Sequence, residues 1–374
     1  MPNPNAVVAT TIQVNGSEQL GAGEGRAEAF VELDGRRIRL DPADSRSAGY
    51  AQVLQGLADL RHPVYAEVDP ETDAITRLLV PKVGRVLRAD DREGGLEVSL
   101  DTSHARLRVP AGDDAAELAG VVRRSLEDGR VVILTADDGG AVLDVRELPG
   151  DVAGALPPFP LPPEPGPWPP AVSAWLRVPL WLWRIIRCLW CWWFCCISPT
   201  RAQQVFDAMA ATSCDPLTCP VPCIPFKFPD DGCWARAHEM CRLMINMGLR
   251  PRKVWIDASP GHSLHVNTRN NPNCFVEWGW HVAPILCVRG WFPFVVRTMV
   301  IDPSLFTTPV SEATWKGVQG DPAATLTETG PEVFWHGGGT DPNYTQCNAI
   351  LAQYRQALVA RSTQDGPPPY ANCP

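Results

Sequence analysis

Cys233, His281 and Asp302 are the residues of this chain whose types and settings combine into nucleophilic chemistry. Cys233 lies in the run Phe228 to Gly248, FPDDGCWARAHEMCRLMINMG. Pro229 and the Asp230-Asp231-Gly232 turn end one segment. Trp234, Ala237, Met240, Cys241, Met244 and Met247 then recur at helical spacing until Gly248 stops the helix. Cys233 therefore belongs to the first turn of a buried helix. There the unpaired amide N–H groups and the helix dipole favour an anion, so the expectation is a thiol of lowered pKa. A cysteine alone also packs as a small hydrophobe, so a nucleophile needs a base beside it.

Two apolar segments rich in β-branched and aromatic residues supply one: Phe275 to Val288 and Pro293 to Pro303, separated by Arg289-Gly290-Trp291-Phe292. A hairpin turning near Gly290 and Trp291 sets Met299 or Val300 opposite His281. With Val300 as the partner, Asp302 falls on the face of His281, one diagonal step away, at roughly 7 Å between Cβ atoms. A slip of one residue destroys this arrangement. The order is helix-start Cys, strand His and strand-end Asp, with spacings of 48 and 21 residues. Such a set suits acyl transfer through a thioester.

The remaining candidates are weaker. His238 lies five residues after Cys233 on the same helix and points away from it, which is a packing position. His262 and His265 flank a loop with no carboxylate in hairpin register, and His336 with Gly337 to Gly339 reads as a loop. Trp278 and Trp280 are placed either to wall an acyl site or to fill the core. Cys214, Cys219 and Cys223 stand among prolines without a second CxxC or His pair, so disulfides are expected there rather than zinc. No metal or cofactor is expected.

The elements that must hold these residues divide the chain in two. Residues 1 to 150 carry 26 acidic against 17 basic residues, whereas 151 to 374 carry 16 of each along with all 13 cysteines. A net charge of -9 argues against a general nucleic-acid binder. No secretory signal stands at the start, where the first basic residue is Arg26, yet 13 cysteines suit an oxidising compartment. With one thiol kept as nucleophile, the other twelve have the parity to pair.

Residues 1 to 150 read as an acidic module of two ββαββ copies. Phe30 to Leu40 is a hairpin around Asp34-Gly35, Ala48 to Leu60 a helix, and Val64 to Val80 two more strands. The order returns 67 residues later as Leu96 to Val109, Asp114 to Glu127 and Val131 to Leu148. Neither copy holds a cysteine, a phosphate loop or a His and carboxylate cluster, so this half is an inhibitory, docking or scaffold module. Residues 151 to 170 form a linker whose Pro157 to Pro170 stretch favours polyproline II structure open to proteases. Within 171 to 200, the segment Ala171 to Ile197 is rich in Trp, Cys and Arg. Three arginines and Pro179 interrupt it, which disfavours a membrane span without excluding one. An interfacial helix touching a membrane surface through residues 171–197, a helix packed on the catalytic domain with bridged cysteines, and a plug over the site all remain open. Residues 201 to 374 read as a compact α+β catalytic domain.

Three blocks in this order and at these separations resemble those of bacterial protein glutaminases: Asp231-Gly232-Cys233-Trp234-Ala235-Arg236-Ala237-His238, Trp280-His281-Val282-Ala283, and Ile301-Asp302-Pro303-Ser304-Leu305-Phe306. The resemblance covers about Gln204 to Phe306 and says little of residues 1 to 170. It implies a papain- and transglutaminase-like core with Cys233 as nucleophile, His281 as general base and acid, and Asp302 as orienting carboxylate. It also implies glutamine-bearing proteins or peptides as substrates, ammonia as product, and synthesis as a precursor. A transglutaminase or cysteine peptidase with the same triad, and a noncatalytic membrane-binding effector, are the alternatives.

Overall fold

The computed structural model describes residues 5–15, 29–41, 43–112, 115–148, 196–217, 222–290 and 295–374. The proline-rich stretch 157–170, residues 171–195 of the Trp-rich segment, and Cys188, Cys191, Cys195 and Cys219 lie outside them.

The first half contains β1 (Ala6–Ala9), β2 (Ile12–Asn15), β3 (Ala29–Leu33), β4 (Arg36–Leu40), α1 (Ser47–Leu60), β5 (Val64–Val68), β6 (Ile75–Leu79), β7 (Lys82–Arg92), β8 (Gly95–Leu100), β9 (Leu107–Pro110), α2 (Ala116–Asp128), β10 (Val131–Ala136) and β11 (Val142–Glu147). The Asp34-Gly35 turn has both central residues at positive φ, 47° and 81°, the geometry that matches strand twist in a two-residue hairpin. Alternation along β3 buries Ala29, Val31 and Leu33 under α1. The sheets run β2-β3-β4, β1-β5-β6 and β11-β10-β7-β8-β9, every pair antiparallel.

The second half continues with α3 (Pro199–Ala210), α4 (Cys233–Asn246), β12 (Arg252–Asp257), β13 (Leu264–Asn267), β14 (Phe275–Trp278), β15 (Trp280–Arg289), β16 (Val296–Val300), β17 (Val310–Ser311), α5 (Glu312–Gly317), β18 (Thr325–Thr329), β19 (Val333–Trp335), β20 (Gly338–Thr340) and α6 (Thr345–Asp365). Its main sheet, β17-β16-β15-β12-β18, is antiparallel throughout. Val282 and Leu286 of β15 pack with α4, while Ala283 and Ile285 on the other face pack with Trp278 and Trp315. The chain is thus a mixed α/β protein built on antiparallel sheets.

Three sequence expectations change here. Phe275 to Val288 is not one strand: it breaks at Gly279, whose N–H donates to His104 and whose carbonyl accepts from Ala258, so β14 pairs β13 while β15 joins the main sheet. Val300 lies opposite Ile285 rather than His281, a register four residues away from the expected one, with Arg289 paired to Val296. The shift is even, so Asp302 keeps the face of His281. His336 and Gly337 do form a loop, the tight β19–β20 turn, but Gly338 and Gly339 belong to strand β20 instead.

Disulfides join Cys196 to Cys287, Cys214 to Cys223 and Cys274 to Cys373. Cys241 and Cys347 are free and buried along with Cys233, so the twelve remaining thiols do not all pair. Both are packed inside the second half, where the Cys347 thiol donates to the Ala235 carbonyl at 3.3 Å.

The halves share packing. α6 places Val359 and Ala360 in the core under α1, whose Gly49 and Gly56 leave room for Thr363 and Gln356 of α6. Arg361 of α6 forks onto both oxygens of Asp230 at 2.7 and 2.8 Å and reaches Asp138 of the first half at 2.5 Å. Burial pushes the Asp138 carboxyl up, against the pull of that guanidinium. Removing the cation strands two carboxylates, so Arg361→Met should lower stability by roughly 3–5 kcal/mol. Urea unfolding measures this, and a loss below about 1 kcal/mol contradicts it.

Candidate active site

Cys233 opens α4 behind Gly232, which has φ 76° and lies over the Tyr354 ring, where a Cβ would come within 2.5 Å of Cδ2. Only glycine satisfies both conditions. Arg236, 2% exposed, donates to the carbonyls of Phe228 and Asp231 and so anchors the turn that delivers Cys233. The Cys233 thiol, 1% exposed, meets the backbone N–H of Val282, the neighbour of His281. Burial pushes this thiol far up, and the Asp231 and Asp302 carboxylates add to the effect against Arg236 and the Val282 N–H. The expected acidic thiol is therefore not present in this closed state, because desolvation outweighs the helix end.

His281 lies on β15 with its Nε2 2.9 Å from Asp302 Oδ2. Trp315 Nε1–H donates to the same oxygen at 3.0 Å, and the Ser304 N–H donates to Oδ1 at 3.2 Å. Burial opposes the charge on Asp302, but these donors hold its carboxyl below the ordinary range. The imidazole is stacked between Trp278, centroid distance 4.4 Å, and Trp315, 5.5 Å. Its Nδ1 is buried and has no hydrogen-bond partner among the described residues. With Nε2 committed to the carboxylate, Nδ1 is the nitrogen left for proton transfer.

A segment of the first half lies across this site. Ala105 bridges Trp278 in antiparallel fashion, Arg106 N–H donates to Glu277 O at 3.1 Å, and Gly279 N–H donates to His104 O at 2.9 Å. The His104 ring sits among Trp278, Trp280, Trp234 and His281, with centroids 5.5, 5.0, 5.7 and 6.2 Å away. Its Nδ1 lies 2.9 Å from Trp280 O. Asp231, fully buried, accepts from Lys82 Nζ and Ser103 Oγ, while the His104 N–H and Nε2 each lie 3.3 Å from its Oδ1. Burial disfavours its charge, yet the Lys82 ammonium, helped by the Ser103 hydroxyl, keeps the carboxyl well below its usual range.

The other sequence candidates separate from the site. His238 packs in the core, with Nε2 3.2 Å from Asp341 O and Nδ1 accepting from Lys253 at 3.1 Å. His262 is exposed. His265 does have a carboxylate opposite it, Glu277 at 3.2 Å, contrary to expectation, because β13 and β14 form a ladder of their own on the surface. Trp278 covers His281, and Trp280 stacks on His336. No cluster of His, Cys, Asp or Glu among the described residues has the form of a metal site. The sequence reading overlooked Lys82, His104, Asp231 and Trp315. Asp231 had a signal, being two residues from Cys233 in the turn, whereas the others reach the site only through tertiary contacts.

Residues 202–319 match the model of a family described as glutaminase. This segment contains Cys233, His281 and Asp302. No curated protein matches the chain. Among solved structures, a crystal structure of pro-protein-glutaminase is similar at 19% identity and a TM-score of 0.49, over 79% of this chain and 99% of that one. A crystal structure of protein-glutaminase, at 25% identity and TM-score 0.38, covers 48% of this chain and 98% of its own. The NMR structure of protein-glutaminase from Chryseobacterium proteolyticum, at 23% identity and TM-score 0.36, covers 48% and 97%.

Two measurements check this geometry. Trp315→Phe keeps the stacking but removes a donor from a buried carboxylate, which raises the pKa of Asp302. The acid limb of the pH–rate profile should move up by roughly one unit, and an unmoved limb contradicts the assigned bond. Burial holds His104 neutral, with its pKa lowered to about 3. The stability this contributes is present above the unfolded value near 6.5 and is lost as pH falls toward 3. The urea midpoint should therefore drop more between pH 7 and pH 4 in wild type than in His104→Phe, and equal drops contradict this.

Proposed function

We propose that this chain is a protein-glutamine deamidase in which Cys233, His281 and Asp302 act as nucleophile, general base and acid, and orienting carboxylate. The observation that carries the reading is the His281–Asp302 pair, buried and bonded at 2.9 Å, with the N–H of the next residue, Val282, meeting the thiol of the helix-start Cys233. The glutaminase family match over residues 202–319 supports the same chemistry.

In the mechanism, His281 takes the thiol proton as Sγ attacks the γ-carboxamide carbon. The tetrahedral oxyanion accepts from the Cys233 N–H at the start of α4, where no intrahelical partner is available. Collapse expels ammonia, protonated by His281, and leaves a thioester. His281 then deprotonates water, which attacks the thioester and releases glutamate with the thiol restored. Asp302 fixes the imidazole tautomer and stabilises its cation, and Trp278 and Trp315 exclude competing water from its faces.

Residues 201–374 constitute the catalytic domain in this reading, with a papain- and transglutaminase-like core of helix-start cysteine and antiparallel sheet. Residues 1–150 form two ββαββ units. Support comes from the strand orders: β7 lies between the β8–β9 and β10–β11 hairpins, as β2 and β1 lie beside β3–β4 and β5–β6. The first half covers the site through residues 103–106, so the chain is a latent precursor and 151–170 is the linker whose cleavage relieves it.

After cleavage within 157–170, glutamine peptides should gain about 1 Da and release ammonia, at least tenfold faster than with the intact chain. Cys233→Ala should lose this turnover by about 10⁴-fold or more while keeping its unfolding midpoint. Retained activity refutes the nucleophile, peptide cleavage or amine cross-linking refutes the reaction class, and equal rates before and after cleavage refute latency.

A further inference from the structure

Asp231 is an ionised carboxylate two residues from the nucleophile, and it is fully buried. Its donors divide sharply by origin. Lys82, Ser103 and His104 come from the first half, while the second half supplies the adjacent Gly232 N–H and the Tyr354 hydroxyl. Tyr354 contributes more than that hydroxyl. Its ring, carried by α6, lies 5.6 Å from Lys82 Nζ, so the ammonium rests between a carboxylate and an aromatic face. Both walls belong to the second half. Once residues 82 and 103–104 withdraw, a negative charge and a π-face remain beside Cys233 with their cation gone.

An unneutralised carboxylate there works against catalysis, because Asp231 is among the groups that push the Cys233 thiol up. A cation returning to the place of Lys82 offsets that charge and favours the thiolate. We infer that Asp231 and Tyr354 form a cation subsite of the opened enzyme, which selects glutamines flanked in the substrate by lysine or arginine. The inference rests on the deamidase reading of the site and names its substrate class. Selection is strongest in kcat/KM for acylation, since the flanking cation both binds and activates the nucleophile.

The test uses the full chain cleaved within 157–170, in two arms. In the first, Cys233 is modified by aminoethyl and sulfonatoethyl methanethiosulfonate, and the site of modification is verified by mass spectrometry. The cationic reagent should react roughly tenfold faster. The ratio should fall in about 0.5 M NaCl and approach one in Asp231→Asn. In the second arm, glutamine peptides carry lysine, norleucine or glutamate at each of the two positions on either side. One position should show lysine favoured over glutamate by roughly tenfold in kcat/KM. A reagent ratio near one in wild type, equal peptide rates at every position, or a Cys233 that stays closed to both reagents overturns the subsite. These wild-type comparisons stand whether or not Asp231→Asn folds. The labelling arm needs no deamidation, so a reagent preference without ammonia from any peptide overturns the deamidase reading while leaving the cation subsite in place.

Discussion

A carboxylate that is 2% exposed stays ionised only where donors replace the water it has lost, and that requirement at Asp302 organises the centre of this protein. His281 and Trp315 both bond Oδ2, and the Ser304 amide bonds Oδ1. Each donor comes from a separate place: β15, α5 and the turn after β16. The main sheet sets the first, the α5 helix the second and the Asp302 turn the third. Trp278 and Trp315 hold the imidazole between them, so its direction is decided by packing as much as by the hydrogen bond.

The same dryness that strengthens the His281–Asp302 pair silences the thiol. Cys233 in the covered chain lacks the solvent that a thiolate needs, and two nearby carboxylates oppose its charge. The cover is held by main-chain pairing at Trp278 and by a compact set of polar contacts to Asp231. Removing residues 82 and 103–106 would change solvent access, the field at Cys233 and the state of Asp231 together. Latency and activation in this account are thus two hydration states of one constellation. The scale is that of desolvation, which shifts buried groups by several pKa units.

Much of the centre is legible in the sequence, for identifiable reasons. Gly232 before an amphipathic run marks the start of α4 and so places Cys233. Period-two geometry relates His281 to Asp302 even though the hairpin register is displaced by four residues, since an even displacement preserves the face. The Asp34-Gly35 hairpin and both helices of the first half follow from turn chemistry and spacing. What local pattern does not contain is the joint between the halves. His104 and Trp315 approach His281 from 177 residues before it and 34 after it, and no periodicity links positions that far apart. The thiol's raised pKa escapes for a related reason, because a helix end is visible in sequence whereas the burial that outweighs it arises only when distant elements pack around Cys233.

Covalent capture of the intermediate reads the central claim most directly. The cleaved chain is mixed with a glutamine peptide, quenched in acid within the first turnover, and examined by intact mass and peptide mapping. The account predicts an adduct equal to the peptide mass less ammonia, located on Cys233 and labile to hydroxylamine. An adduct on Cys241 or Cys347, or ammonia release with Cys233 never acylated, would contradict it.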